Sequence, residues 1–332
     1  MDVKRRRRWG WLVKGVITVT LLVWVVRLAD PQALSQTLGR LDMAAVAWAL
    51  AALALAYVIA FFRWGILLRC VGMHSPLRTI VPEYLLSMFY NHVLPSSVGG
   101  DAVRAYYLTR RGFDLHAVVA STVVDRLLGL AGVVLMSTTL WVAIAATLQI
   151  GGILRFGPVI AVLACMGLLI WVARRMAGAL KRTLAGFGSP RVRELLLRLF
   201  EALENYAGHP IVSVNALILS IASQCAIVFA YVSLGQALHI EMSWLHYFFV
   251  VPSVMFMQIL PISFAGMGVR EAGLVGLLAL LGVDTNQAVA LSIAYLAVFW
   301  LSVIPGAGVA LWYFMRRPRE GKLDKNGQTD AQ

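Results

Sequence analysis

Apolar residues arrive in long blocks, separated by short polar intervals crowded with Arg and Lys. Blocks of 17 residues or more are long enough to cross a hydrocarbon core as helices. They predict full spans at about 10–29, 43–62, 127–148, 157–173, 211–234 and 286–314. Pro305 sits inside the last and longest block and predicts a kink there, because proline removes a ladder donor and crowds the preceding turn. Two further apolar pieces, 79–94 and 244–260, each end at Leu-Pro, followed by a Ser/Gly-rich stretch and an Arg. As a helix the first would be only about 24 Å long.

These two pieces are related. LPSSVGGDAVR (94–104) and LPISFAGMGVR (260–270) share six of eleven positions at a constant offset of 166. Composition alone would give about one, so an internal repeat is the better reading. Each Arg opens a short helix ending in Gly-x-Asp (Gly112-Phe113-Asp114, Gly282-Val283-Asp284), and each is followed by a longer apolar helix beginning AVVAS or AVALS.

If both Leu-Pro pieces are re-entrant, Lys and Arg divide 25 inside to 4 outside, and the basic 174–209 stretch, with seven Lys/Arg against three Glu, falls inside, as the positive-inside rule demands. The first hairpin then enters from the cytoplasm and the second from the opposite face. The expected fold is an all-α polytopic membrane protein, with about six full transmembrane helices plus two re-entrant helical hairpins in two inverted-topology repeats. Repeat one covers about 10–148 and repeat two about 157–314 within a single membrane domain, 1–315. The loop 174–209 and the polar tail 316–332 are expected in the cytoplasm, as is the N-terminus. Within that loop, 189–206 spaces Leu195, Leu196, Leu199, Phe200 and Leu203 along one face, the pattern of an interfacial helix on an anionic leaflet.

Composition agrees. The chain of 332 residues is 60% apolar and 14% charged, with mean hydropathy +0.78, far from soluble averages. A soluble enzyme, a coiled coil and a disordered chain are excluded. The net charge of +13 would suggest nucleic acid in a soluble protein, but the placement of the basic residues assigns it to membrane sidedness, and no nucleic-acid partner is expected. The run after Lys4–Arg8 is long and lacks a small-x-small cleavage site before Asp30-Pro31, so it reads as an uncleaved span of an inner-membrane protein. Cys70, Cys165 and Cys225 are isolated small hydrophobes. No metal-ligand spacing and no catalytic constellation is present, and no cofactor is expected.

Helix breaks in a membrane free backbone groups that must line a polar cavity or be buried in protein, and inverted-repeat transporters bind substrate at such breaks. Helix N-termini attract anions, and arginine grips phosphate bidentately. The substrate and translocation candidates are therefore Asn91, Pro95, Ser97, Gly99, Gly100, Asp101, Arg104, Pro261, Ser263, Gly266, Gly268, Arg270 and Glu271. Asp101 and Arg104, three apart, should meet on one helix face. Arg270 and Glu271, adjacent, should point differently and need other partners. Glu83, Asp125 and Arg126 form a candidate gate near the inner interface. His92 precedes the first break and is read as a hydrogen-bonded lining residue or a proton-linked one. Ser97 and Ser263 are expected to bond freed backbone.

The segments NHVLPSSVGGDAVRAYYLTRRG (91–112), VVDRLLGL (123–130) and LPISFAGMGVREAG (260–273) resemble the membrane domain of lysylphosphatidylglycerol synthases, a flippase-like integral membrane family. The resemblance covers roughly 10–315. It implies a translocator-like fold, with Asn91, Pro95, Gly99, Gly100, Asp101, Arg104, Asp125, Arg126, Pro261, Gly266, Gly268, Arg270 and Glu271 at the family's motif positions. In the full synthases a soluble aminoacyl transferase domain follows the membrane part. Here only the polar tail follows, so that activity is not carried over. The leading expectation is a lipid translocator for an anionic phospholipid or a polyprenyl-phosphate-linked lipid. Two alternatives stay open: a non-transporting subunit docking a glycosyltransferase or lipid-modifying enzyme through the 174–209 loop, and an intramembrane lipid transferase.

Overall fold

The computed structural model describes residues 3–39, 41–73, 76–94, 99–147, 206, 208–258, 263 and 266–316. The expected span 157–173, nearly all of the 174–209 loop with its amphipathic helix, the tail beyond 316, and Pro95, Ser97 and Pro261 lie outside these residues. All regular structure among the described residues is helical: α1 (Val3–Arg27), α2 (Pro31–Gly39), α3 (Met43–Cys70), α4 (Val81–Val93), α5 (Gly99–Arg110), α6 (Leu115–Thr147), α7 (Pro210–Ala237), α8 (Trp244–Met257), α9 (Val269–Leu280), α10 (Thr285–Ser302) and α11 (Ile304–Met315), with a single 3-10 turn at Leu77–Thr79.

Among the described residues, four stretches are long and apolar enough to cross a membrane: Met43–Cys70, Leu115–Thr138, Pro210–Ala237 and Thr285–Met315. Two of them overrun the sequence reading. α3 continues past Phe62 through Arg63 to Cys70, and α6 begins at Leu115 rather than near 127. In both places a charge marks an apparent end of the apolar block, but each charge is paired, Arg63 with Asp125 and Arg126 with Asp101, so the backbone ladder runs on. Outward positions are apolar, Trp48 and Phe62 on α3 and Ile211 and Ile218 on α7 among them, as a lipid-facing surface requires.

Local signals set the helix ends. Asp42 accepts the Ala44 N–H at 2.9 Å and starts α3. Asp114 accepts the Ala117 N–H, and Asp284 those of Asn286 and Gln287, starting α6 and α10. The Gly-x-Asp repeat works identically in both halves. Gly112 (φ 88°) and Gly282 (φ 80°) take the left-handed conformation that ends a helix. Phe113 and Val283 then donate back to Leu108 and Leu278 at 3.2 and 3.1 Å. One element was not anticipated: α2 lies in the expected 30–42 loop, opened by Pro31 and capped where Asp30 accepts the Gln32 N–H. The Asp30 N–H in turn donates to Asn286, fastening α2 to the start of α10.

α3 packs along α7 through small residues, with Ala49 and Ala56 fully buried and Ser223 donating to the Ala56 carbonyl at 3.1 Å. Close backbone approach replaces the hydrophobic drive that lipid cannot supply. α4 and α5 run back along each other: Asn91 meets Gly100 at one end, and Glu83 meets Arg111 at the other. α8 and α9 do the same, with Gln258 against Gly266 and Val254 against Gly273. The two pairs are seated reciprocally. α4 lies on α11, and α8 lies on α6. The largest core gathers Val228, Tyr231, Leu234, Val250, Leu274, Leu278, Leu291 and Tyr295, where the Tyr231 and Tyr295 rings stack at 3.8 Å.

The last block breaks at Val303, with Pro305 in the first turn of α11. Just beyond the break, Gly306 lets α11 touch α4: a Cβ there would stand 2.3 Å from the Leu85 carbonyl oxygen and 2.9 Å from the Phe89 Cβ. Gly306→Ala is expected to lower stability by about 1–3 kcal/mol. An unfolding midpoint of the detergent-purified variant equal to that of the parent would contradict this contact.

Candidate functional site

The first polar cluster is built around Asp101, two positions into α5. Its Oδ2 accepts Arg126 Nε at 3.0 Å and Nη2 at 2.7 Å. Its Oδ1 accepts Ser87 Oγ at 3.2 Å, Arg104 Nη2 at 3.3 Å and, at the limit of bonding, Asn91 Nδ2 at 3.5 Å. One carboxylate thus ties α4, α5 and α6 together. The i, i+3 meeting of Asp101 and Arg104 is present as the helix geometry predicts. Arg104 is buried, donates to Thr122 Oγ1 at 2.9 Å and lies 4.1 Å over the Trp64 ring, while its Nε has no partner among the described residues. Trp64 and Thr122 were not singled out from the sequence. A Trp one residue after an Arg inside an apolar run was the available signal. Asn91 Oδ1 accepts the Gly100 N–H at 2.9 Å, so the N-terminus of α5 is capped from the neighbouring helix. Gly99 opens α5 beside Leu94.

Among the described residues the three gate candidates are not seen bonded to one another. Each has its own partner. Arg126 pairs with Asp101. Asp125, on another face of α6, accepts Arg63 Nε from α3 at 2.7 Å, and Arg63 Nη1 donates to Ser220 on α7 at 2.9 Å. Glu83, wholly buried, pairs with Arg111 at 2.8 Å and accepts the Tyr313 hydroxyl at 2.5 Å. Arg63, Arg111 and Tyr313 were missed because each lies in a different sequence block from its partner.

The second cluster overturns one expectation. Arg270 and Glu271, although adjacent, pair directly: Nε donates to Oε1 at 2.9 Å and Nη2 shares the same oxygen. At the start of a helix neither side chain is held against a preceding turn, so a long guanidinium can fold back onto its neighbour. Glu271 Oε2 also accepts the Gly268 N–H at 2.6 Å, closing the N-terminus of α9. Gly266 and Gly268 both have positive φ, which fits the sharp entry to α9. The Arg270 guanidinium lies 4.6 Å from the Phe299 ring and 5.2 Å from Tyr295. Ser263 is buried, and its hydroxyl has no hydrogen-bond partner among the described residues, so the expected bond to freed backbone is not seen.

Phe299 links the two clusters. Its ring also lies 4.2 Å from that of His92, and His92 Nδ1 lies 2.6 Å from the Met88 carbonyl. The last turn of α4 and the first of α9 therefore contact one side chain of α10.

The arrangement contains cations held at two helix starts, each neutralised by an internal carboxylate. No curated protein matches the chain at a significant level. A family model described as the lysylphosphatidylglycerol synthase TM region matches residues 11–306, which takes in both helix pairs and both arginine clusters. With the apolar helices already described, that match makes the chain a multi-pass membrane protein of the lysylphosphatidylglycerol synthase TM-region family, whose context is lipid modification or transport.

Proposed function

We propose that this protein moves an anionic phospholipid or a polyprenyl-phosphate-linked lipid between leaflets by alternating access, in the inner membrane, with both termini in the cytoplasm. The observation that carries the reading is the reciprocal seating of the helix pairs, α4 on α11 and α8 on α6. Corresponding elements also match in length: 28 residues for α3 and α7, 13 and 14 for α4 and α8, and 12 for α5 and α9. Two inverted repeats whose hairpins dip from opposite faces would pack in this crossed manner, with the breaks meeting between the repeats.

The chemistry supports an anionic headgroup. The starts of α5 and α9 present backbone donors beside Arg104, Arg126 and Arg270. In this conformation the Gly100 and Gly268 N–H groups are filled by Asn91 and Glu271, and the Arg126 guanidinium by Asp101. A lipid phosphate can take the place of a carboxylate on the same cation, so binding exchanges one charge-assisted bond for another instead of desolvating a bare charge. The exchange would free the tip of one helix pair from its neighbour and allow the repeats to rock.

Reconstituted leaflet exchange of labelled anionic lipids tests the proposal. Neutralising Arg104 or Arg270 with Gln should slow exchange about tenfold or more, the worth of one lost charge-assisted contact, in protein that still elutes as a single species. Exchange no faster than in protein-free liposomes, for every anionic lipid class, would sink the transport reading. Parental rates in both variants would remove the arginines from it.

A further inference from the structure

An acidic residue three positions into a helix is ordinarily a solvated side chain favoured by the helix dipole. Glu83 is not: it is 0% exposed. Both donors that reach it, Arg111 Nη2 and the Tyr313 hydroxyl, converge on Oε1. Oε2 is buried and has no hydrogen-bond partner among the described residues. A structural ion pair with arginine commonly uses both carboxylate oxygens, side by side. Here one oxygen carries two contacts and the other, able to accept two, carries none.

The position matters as much as the pairing. Glu83 lies at the base of the α4–α5 pair, away from its tip. Arg111 is in the turn after α5 and is 39% exposed, which leaves the cluster one open edge. It also donates to the Thr79 carbonyl at 2.7 Å and to the Tyr313 hydroxyl at 2.8 Å. Tyr313 is in the last turn of α11, its ring 4.6 Å from that of Tyr107 on α5. The elements packed on α4 carry other charges: Asp101, Arg104 and Arg110 on α5, Arg78 in the 77–79 turn, and Arg316 just after α11. Among the described residues only Arg111 and Tyr313 are seen to donate to the Glu83 carboxylate.

We propose that Glu83 is a reversible proton-binding site, loaded at Oε2, whose occupancy controls the contact between the α4–α5 pair and α11. Ionised, the carboxylate and Arg111 form a neutral pair that holds Tyr313 and with it the end of α11. With one proton added at Oε2, the cluster gains one positive charge, Arg111 loses its counter-ion and turns away, and the carboxyl group keeps only the Tyr313 hydrogen bond to the end of α11. Under the leaflet-exchange reading, on which this last consequence rests, the proton couples lipid movement to a pH difference across the membrane.

The test uses the full chain in liposomes, with the proton itself as probe. Infrared difference spectra between high and low pH should show the carbonyl stretch of a protonated carboxyl group, and Glu83→Gln should lack it. Arg111→Gln should show the band under conditions in which the parent does not. Tyr313→Phe, which keeps the carboxyl group and removes one donor, should move the band's frequency, and it serves if Glu83→Gln does not fold. An unchanged band in both Glu83→Gln and Tyr313→Phe overturns the site. In the same liposomes an imposed pH difference should alter exchange of labelled phosphatidylglycerol in the parent, and this response should be lost in Glu83→Gln. An equal response in the two overturns the coupling. A Glu83 band without exchange by any form supports the proton site and counts against the leaflet-exchange reading.

Discussion

Gly100→Ala is expected to abolish the proposed leaflet exchange and to lower stability by about 3 kcal/mol or more, at the upper end of what overpacking costs. The added Cβ would stand 1.9 Å from the Ser87 carbonyl oxygen and 2.7 Å from the Asn91 backbone nitrogen. These are backbone atoms of a helix, so relief requires moving α4 as a body. That movement breaks the Asn91 cap on α5 and pulls Ser87 away from Asp101. Gly99→Ala is the matched control. The three atoms nearest its Cβ all belong to the Leu94 side chain, and the closest, Cδ1 at 2.6 Å, moves away when the leucine changes rotamer. Thermal unfolding and leaflet exchange of the two variants should therefore separate sharply. Similar midpoints would show that the helices are not in contact at Gly100.

The second large effect is expected at Asp101. Asp101→Ala removes the acceptor shared by Arg104, Arg126, Ser87 and Asn91 and leaves Arg104, 3% exposed, without a counter-charge. Breaking a buried ion pair from one side costs about 3–5 kcal/mol. Arg126 adds less, because its side chain is half-exposed and its pair is screened. The double variant Asp101→Leu, Arg104→Met should recover much of that loss, since it no longer strands the Arg104 charge, yet remain inactive in leaflet exchange. This contrast separates stability from function. A double variant that transports would show that the pair only holds the fold.

Much of the architecture was legible in the chain itself. The repeated Leu-Pro segments mark the ends of α4 and α8, and the repeated Gly-x-Asp marks the ends of α5 and α9 together with the caps of α6 and α10. Pro305 marks the step from α10 to α11. These signals succeed because each acts within a few residues: a proline without its N–H, a glycine at positive φ, an aspartate capping the next turn. The Asp101–Arg104 pair was legible for the same reason, being one helical turn apart. Arg63 and Asp125 were not, because both look like ends of apolar blocks until a partner is known.

The sequence by itself determined that this is a helical membrane chain of the family it resembles, and where proline, glycine and aspartate signals end or start several of its helices. Tertiary structure alone decided which distant charges meet: Arg63 with Asp125, Glu83 with Arg111 and Tyr313, and Asp101 with Arg126. Turn and cap signals are local and survive in any surroundings. A buried charge is tolerated only where the rotation and crossing of several helices bring an opposite charge within about 3 Å, and no short stretch of residues encodes that distance.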